Sequence, residues 1–194
     1  MLRFIVTYDY LCPFARNANE AVLSGLEGGK DWEVGFRPFS LNQVHVHEGD
    51  PAVWDRPPGD QGSGVLALQW GLAVRDEFPE AFGAVHRALF AARHDNGGDL
   101  RDPEVLETAV GGCGLDSAAV AEVVATGKPL DTLRNEHTYL TERWRVFGVP
   151  TFIIDDDAVF VRLMERDQVD ELERMLGLVS WTGLNEFKRT TIPR

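Results

Sequence analysis

Cysteine is scarce: the 194 residues hold two, Cys12 and Cys113. Two cysteines cannot build the bridged framework of a small secreted domain. In a reducing compartment they point to a reactive thiol or an inert buried one. Basic residues are also few, with 19 Lys and Arg against 31 Asp and Glu and a formal net charge of -12. So acidic a chain, without a basic run, disfavours nucleic acid or an anionic membrane surface as partner. No apolar stretch approaches membrane-spanning length. Met1-Leu-Arg-Phe4 enters a strand pattern with no basic leader, long apolar core or cleavage site, so the expected location is the cytoplasm. Metal and phosphate motifs are incomplete. His45 and His47 share a face with Glu48 and Asp50 nearby, but no third ligand stands at metal-site spacing. Gly28-Gly-Lys30 lacks the rest of a phosphate loop, and His94-Asp-Asn-Gly-Gly-Asp99 lacks the terminal Glu of a calcium loop.

What is present is an ordinary globular composition, 44% hydrophobic and 26% charged, with enough length for one domain or a small core carrying an insertion. Phe4-Ile-Val6 reads as a buried strand, and the apolar positions Ala15, Ala18, Ala21, Val22, Gly25 and Leu26 as a helix after Cys12-Pro. Asp31 to Phe39 alternates as a second strand, which makes a βαβ unit with a parallel pair. Ser40 to Gly64 reads as a long loop. Five helices are predicted next, over Val65–Phe78, Glu80–His94, Glu104–Val110, Asp116–Thr126 and Leu130–Val146. Strand grammar returns at Val149–Ile154 and Ala158–Leu163 as a hairpin turning at Asp155-Asp-Asp157. Asp167 is expected to cap a last helix closed by Gly177, and an irregular tail follows.

Cys12 is the pivot. A proline just inside a helix start places Cys12 at the N-cap, beside free N–H groups and the positive end of the helix dipole. That setting favours a thiolate, the nucleophilic form. Asp9 is expected to cap the preceding loop rather than relay protons. Phe14 and Trp144 are either an apolar wall beside the thiol or plain core. Cys113 is expected to be a helix-end residue without a role rather than a thiol that resolves a Cys12 adduct.

Tyr10-Leu-Cys-Pro-Phe14 near the start and Gly148-Val-Pro-Thr-Phe152 late in the chain resemble the thioredoxin superfamily. More closely, the chain resembles the DsbA-like branch, which also holds the kappa-class glutathione transferases and 2-hydroxychromene-2-carboxylate isomerases. The resemblance implies an α/β thioredoxin fold with a helical insertion between the βαβ half and the ββα half. Residues 1–62 and 148–178 would form the thioredoxin-like domain, 63–147 the insertion and 179–194 a tail. It further implies a cis Pro150 facing the thiol, catalysis by Cys12, and a substrate surface from Pro13, Phe14, Ala15, Val149 and Pro150. The Val149 side chain should face the groove. Glutathione or mycothiol, and no metal, is the implied cofactor. The second partner is a small-molecule or peptide disulfide, and a homodimer is among the allowed assemblies. Asn185-Glu-Phe-Lys-Arg-Thr-Thr191 resembles the tails of mycothiol-using relatives.

One departure matters most. Ala15 stands where redox members of the family carry a second cysteine. Intramolecular attack can be worth an effective molarity of about 10⁵ M, so ordinary dithiol chemistry is disfavoured. Three functions remain open. Cys12 acts as a lone nucleophile, or a bound thiol attacks while residue 12 supports it as in a transferase or isomerase, or the fold is a non-catalytic binding module.

Overall fold

A computed structural model describes residues 1–186. Strand β1 (Leu2–Tyr8) leads into helix α1 (Pro13–Glu27), and β2 (Trp32–Pro38) follows. A single-turn helix, α2 (Leu41–Val44), and two 3₁₀ turns at Val53–Asp55 and Pro58–Asp60 occupy the expected loop. Ser40 Oγ caps α2, and the Gln43 side chain accepts the Val53 N–H at 2.9 Å, so this stretch is pinned to itself. The helices α3 (Val65–Glu77), α4 (Phe82–His94), α5 (Pro103–Gly111), α6 (Ser117–Ala125) and α7 (Lys128–Trp144) come next. The chain closes with β3 (Thr151–Ile154), β4 (Asp157–Phe160) and α8 (Val169–Val179).

The four strands lie in the order β2-β1-β3-β4; β1 and β2 run parallel, and the other two pairings are antiparallel. Side chains alternate across a strand. Phe4, Val6, Phe152 and Ile154 therefore meet Ala18, Ala21 and Val22 of α1 and Leu172 and Leu176 of α8 on one face. The small residues of α1 let it sit close: a Cβ at Gly25 would lie 2.1 Å from the Trp32 ring. The second core, holding Leu68, Leu72, Leu89, Leu106 and Leu133, belongs to the helical segment and reaches Ile153 of the sheet. Among the described residues no helix is long and apolar enough to cross a membrane.

Polar anchors join the helical segment to the sheet. Arg75 of α3 grips the Glu136 carboxylate of α7 with two bonds, 2.8 and 3.0 Å, and donates to the Phe36 carbonyl of β2 at 2.9 Å. Two-pronged pairing of this kind fixes orientation as well as distance. Buried Arg16 and Glu20 of α1 pair at 2.9 Å, and Arg16 reaches Asp95 at 2.8 Å. The Ser40 N–H donates to His137 Nδ1 at 3.1 Å, and the imidazole stacks on Phe39.

The end of the chain departs from expectation. Asp167 does not cap α8; it lies at φ 55° and accepts the Ser24 hydroxyl at 2.7 Å, and Gln168 occupies the cap position without a side-chain bond to the helix amides. Gly177 does not close the helix, which runs on to Val179. The resemblance drawn on residues 185–191 lies outside the described residues from Phe187 onward.

Two outcomes follow. Gly71→Ala would set a Cβ 2.3 Å from the hydroxyl oxygen of fully buried Tyr10. Such overpacking is expected to cost about 1–3 kcal/mol in denaturant melts. The second concerns acid. Burial lowers His86 to about 3 and His137 to about 4, from 6.5. As pH falls below 6.5 the unfolded chain takes up protons that these rings refuse, so stability drops. Asp9, raised by burial from 3.8 to about 6, acts in the opposite sense between those values, one group against three, since burial lowers His94 as well. Melting temperature should therefore fall between about pH 7 and pH 4.5, and fall less steeply in His137→Gln.

Candidate active site

Four residues, Asp9 to Cys12, carry the chain from β1 into α1. The Cys12 N–H donates to the Asp9 carbonyl at 3.0 Å, and the Asp9 carboxylate accepts the Leu11 N–H at 2.9 Å and the Leu41 N–H at 2.7 Å. Both carboxylate oxygens of this fully buried residue are thus committed to amides. Tyr10 is locked from the other side. Its hydroxyl lies 2.8 Å from His86 Nδ1, while His86 Nε2 lies 3.1 Å from Asn19 Oδ1. An amide oxygen can only accept, so Nε2 carries the proton and Nδ1 accepts from the phenol. His94 Nε2 reaches the Tyr10 carbonyl at 2.9 Å. Three elements therefore fix the turn that presents the sulfur.

Cys12 is the N-cap of α1, with extended backbone (φ -97°, ψ 116°) and Pro13 as first helical residue. Its Sγ accepts the Ala15 N–H at 3.4 Å. On the opposite side the thiol donates to the Val149 carbonyl at 3.5 Å, and the Val149–Pro150 bond is cis. The hydroxyl of Thr151 donates to the Gly148 carbonyl at 2.8 Å, and the Thr151 N–H donates to the Thr7 hydroxyl at 2.8 Å, which ties this loop to β1. The final residue of Gly148-Val-Pro-Thr151 thus has a mechanical purpose.

The thiol departs from the thiolate expectation. Burial pushes it above its ordinary range, and the Ala15 and Phe14 amides, which pull it down, do not compensate. The physical reason is visible in the contacts: the sulfur has lost much of its hydration, and its proton bonds a carbonyl that would repel a negative sulfur. Val149 also departs: its side chain is buried in the core, and its carbonyl is what faces the thiol.

Pro13 is exposed, Phe14 half-buried, and Ala15 and Pro150 buried. Trp144 packs on the helical core with Arg143 over its ring, whereas the Phe14 ring carries Arg162, 5.0 Å from its centroid. Cys113 donates to the Ala109 carbonyl at 3.4 Å, and both cysteines are free. Among the described residues no group of three His, Cys, Asp or Glu is placed to hold a metal ion, His45 and His47 included. A hollow of about 420 Å³ lies elsewhere, along β2 between Phe36, Arg75, Asp76 and Phe82. Arg162, His86 and His94 carried no sequence signal, since each acts through a fold contact rather than a motif.

The profile described as "DSBA-like thioredoxin domain" matches residues 67–177. Among solved structures, the catalytic domain of Proteus mirabilis ScsC is 21% identical, with 91% of this chain and 82% of that one covered and a TM-score of 0.59. The oxidoreductase NmDsbA1 from N. meningitidis is 14% identical, over 94% and 85%, with a TM-score of 0.64. A 2-hydroxychromene-2-carboxylate isomerase is 17% identical, over 91% and 95%, with a TM-score of 0.61. At these identities the likeness is one of fold. No curated protein matches the sequence.

The rate of Cys12 alkylation by iodoacetamide, followed by peptide mass, should have its pH midpoint above the value of about 8.5 for an ordinary cysteine. A midpoint below neutrality would mean that the helix amides outweigh burial.

Proposed function

The chain belongs to the DSBA-like thioredoxin domain family, and from that membership we propose a thiol–disulfide oxidoreductase that works through one cysteine, Cys12, with glutathione or mycothiol as co-substrate. The observation that carries the reading is the placement of Cys12 Sγ between the Ala15 N–H and the carbonyl of the cis Val149–Pro150 bond. A sulfur held there meets a substrate strand along the Val149 loop and a stabilising amide at the helix mouth.

The thiol first gives its proton to solvent. The thiolate attacks one sulfur of the substrate disulfide; a Cys12–substrate S–S bond forms, the old S–S bond breaks, and the second sulfur leaves as thiolate. Ala15 offers no internal sulfur, so a low-molecular-weight thiolate attacks the mixed disulfide. It takes the substrate sulfur and returns Cys12 as the leaving group. Because burial favours the protonated thiol, the rate should climb with pH through the physiological range. The two free thiols fit a reducing compartment, the cytoplasm.

One observation favours a second reading, a glutathione- or mycothiol-dependent transferase or isomerase. A protonated Cys12 can donate a hydrogen bond to a bound thiolate, which then acts as the nucleophile, and the upward displacement of the Cys12 thiol suits that donor role. Cys12→Ser separates the two, since Ser donates but does not form a mixed disulfide. Under the oxidoreductase reading the variant loses disulfide exchange to the uncatalysed rate and shows no thiol adduct by intact mass. Retained conjugation or isomerisation in Cys12→Ser would favour the second reading.

A further inference from the structure

The segment after β4 runs beside the thiol. The Val161 N–H donates to the Pro150 carbonyl at 3.1 Å, and the Asn17 side chain donates to the Leu163 carbonyl at 2.9 Å. Arg162, between these two anchors, is held where the cis-proline loop meets the first turns of α1. Its guanidinium carbon lies 5.0 Å from the Phe14 ring centroid and 5.2 Å from that of Phe160. Phe160 in turn meets the Phe147 ring at 5.2 Å, and Phe147 is 68% exposed. An exposed cation is thus fixed on two rings, one of which, Phe14, lies two residues from Cys12 in the chain.

Its electrostatic situation bears on the site. Of the described arginines without a carboxylate partner (Arg56, Arg93, Arg145 and Arg162), it is the one whose charge acts on the Cys12 thiol. The chain carries a net charge of -12, and Arg16, Arg37, Arg75, Arg87, Arg143 and Arg166 all have carboxylate partners. Arg162 is exposed, and among the described residues it has no carboxylate within salt-bridge distance. The nearest acid of the turn, Asp9, is buried with both oxygens bound to amides and cannot serve it. A planar guanidinium resting on aromatic faces keeps its outer N–H groups free and pre-oriented for a carboxylate.

We propose that Arg162, stacked on Phe14 and Phe160 beside Cys12, is a specificity-determining residue that receives a carboxylate of the incoming thiol or disulfide. The substrate class is a small thiol or disulfide with a carboxylate a few bonds from sulfur, lying over the Phe14–Phe160 apolar surface. This rests on the oxidoreductase reading above. The pull of Arg162 on the Cys12 thiol is downward, in agreement with a cation near the reacting sulfur.

The test compares iodoacetate with iodoacetamide on Cys12 at alkaline pH. Both form an S–C bond with loss of iodide, and only the first carries a charge. In the wild-type protein the iodoacetate-to-iodoacetamide rate ratio should exceed that of Arg162→Gln by about two- to fivefold, the reach of an exposed ion pair. Added salt should erase the difference, and Arg162→Lys should keep most of it. Equal ratios in wild type and Arg162→Gln overturn the proposal. A companion assay measures exchange of Cys12 with dithiodipropionate and with bis(2-hydroxyethyl) disulfide. Arg162→Gln should raise KM for the first alone, with kcat little changed. If neither disulfide exchanges at Cys12, the oxidoreductase reading fails, and the alkylation ratio still decides the role of Arg162.

Discussion

The contact between the Cys12 thiol and the Val149 carbonyl joins residues 137 positions apart, and the geometry around it serves to hold those two groups together. On one side stand the Ala15 amide and the capped turn; on the other, Thr151 bound to both Thr7 and Gly148. The two sides make opposite demands on the proton. Loss of hydration and, less strongly, the Asp9 charge favour a protonated sulfur, while the helix amides favour a bare one, and the first influence prevails. One pKa unit is about 1.4 kcal/mol, less than many single contacts contribute. Any group that displaces the thiol from the carbonyl therefore removes one of the stabilisers of its resting form.

The helical segment is best understood as the support of that turn. Tyr10 reaches across to His86 of α4, His86 to Asn19 of α1, and His94 back to the Tyr10 carbonyl. A buried imidazole with both nitrogens satisfied has little reason to ionise, which is why burial depresses His86 so far. Arg16 and Glu20 extend the same logic to Asp95 and Arg166, tying α1 to the end of α4 and to the approach to α8. Tight capping and buried pairing leave the Cys12 backbone little freedom, so chemistry there depends on what reaches the sulfur rather than on movement of the sulfur.

Much of this was legible in the residues. Hydrophobic period gave the helices to within a few positions, as with Val65–Glu77 and Phe82–His94, and Cys-Pro marked the N-cap. The errors share a cause: they concern choices made by tertiary contacts. Asp167 has the chemistry of a cap, but Ser24 and Arg87 take its carboxylate. Gly177 looks like a stop, yet α8 continues to bury Val179 against the sheet. Val149 precedes a proline and was expected to line the groove, but its side chain had a core to enter. The thiol's acidity was misjudged because a helix N-terminus is visible in sequence and burial is not.

The replacement of a second cysteine by Ala15 gives the outer surface its weight. Ala15 is fully buried, and its amide already serves the Cys12 sulfur, so the position supports that sulfur without competing with it. A two-cysteine site carries its own resolving group and can accept almost any partner that reaches it. Under the proposed one-cysteine reading, resolution is bimolecular, and its rate scales with how well a second molecule is captured beside the sulfur. On that reading the features placed to capture one are an aromatic surface from Phe14 to Phe147 and the guanidinium of Arg162, which has no carboxylate partner among the described residues. Discrimination in such a site shifts from the sulfur pair to the rim. The proposal places that discrimination at Arg162, because the surrounding negative field of the protein already discourages anions that find no partner.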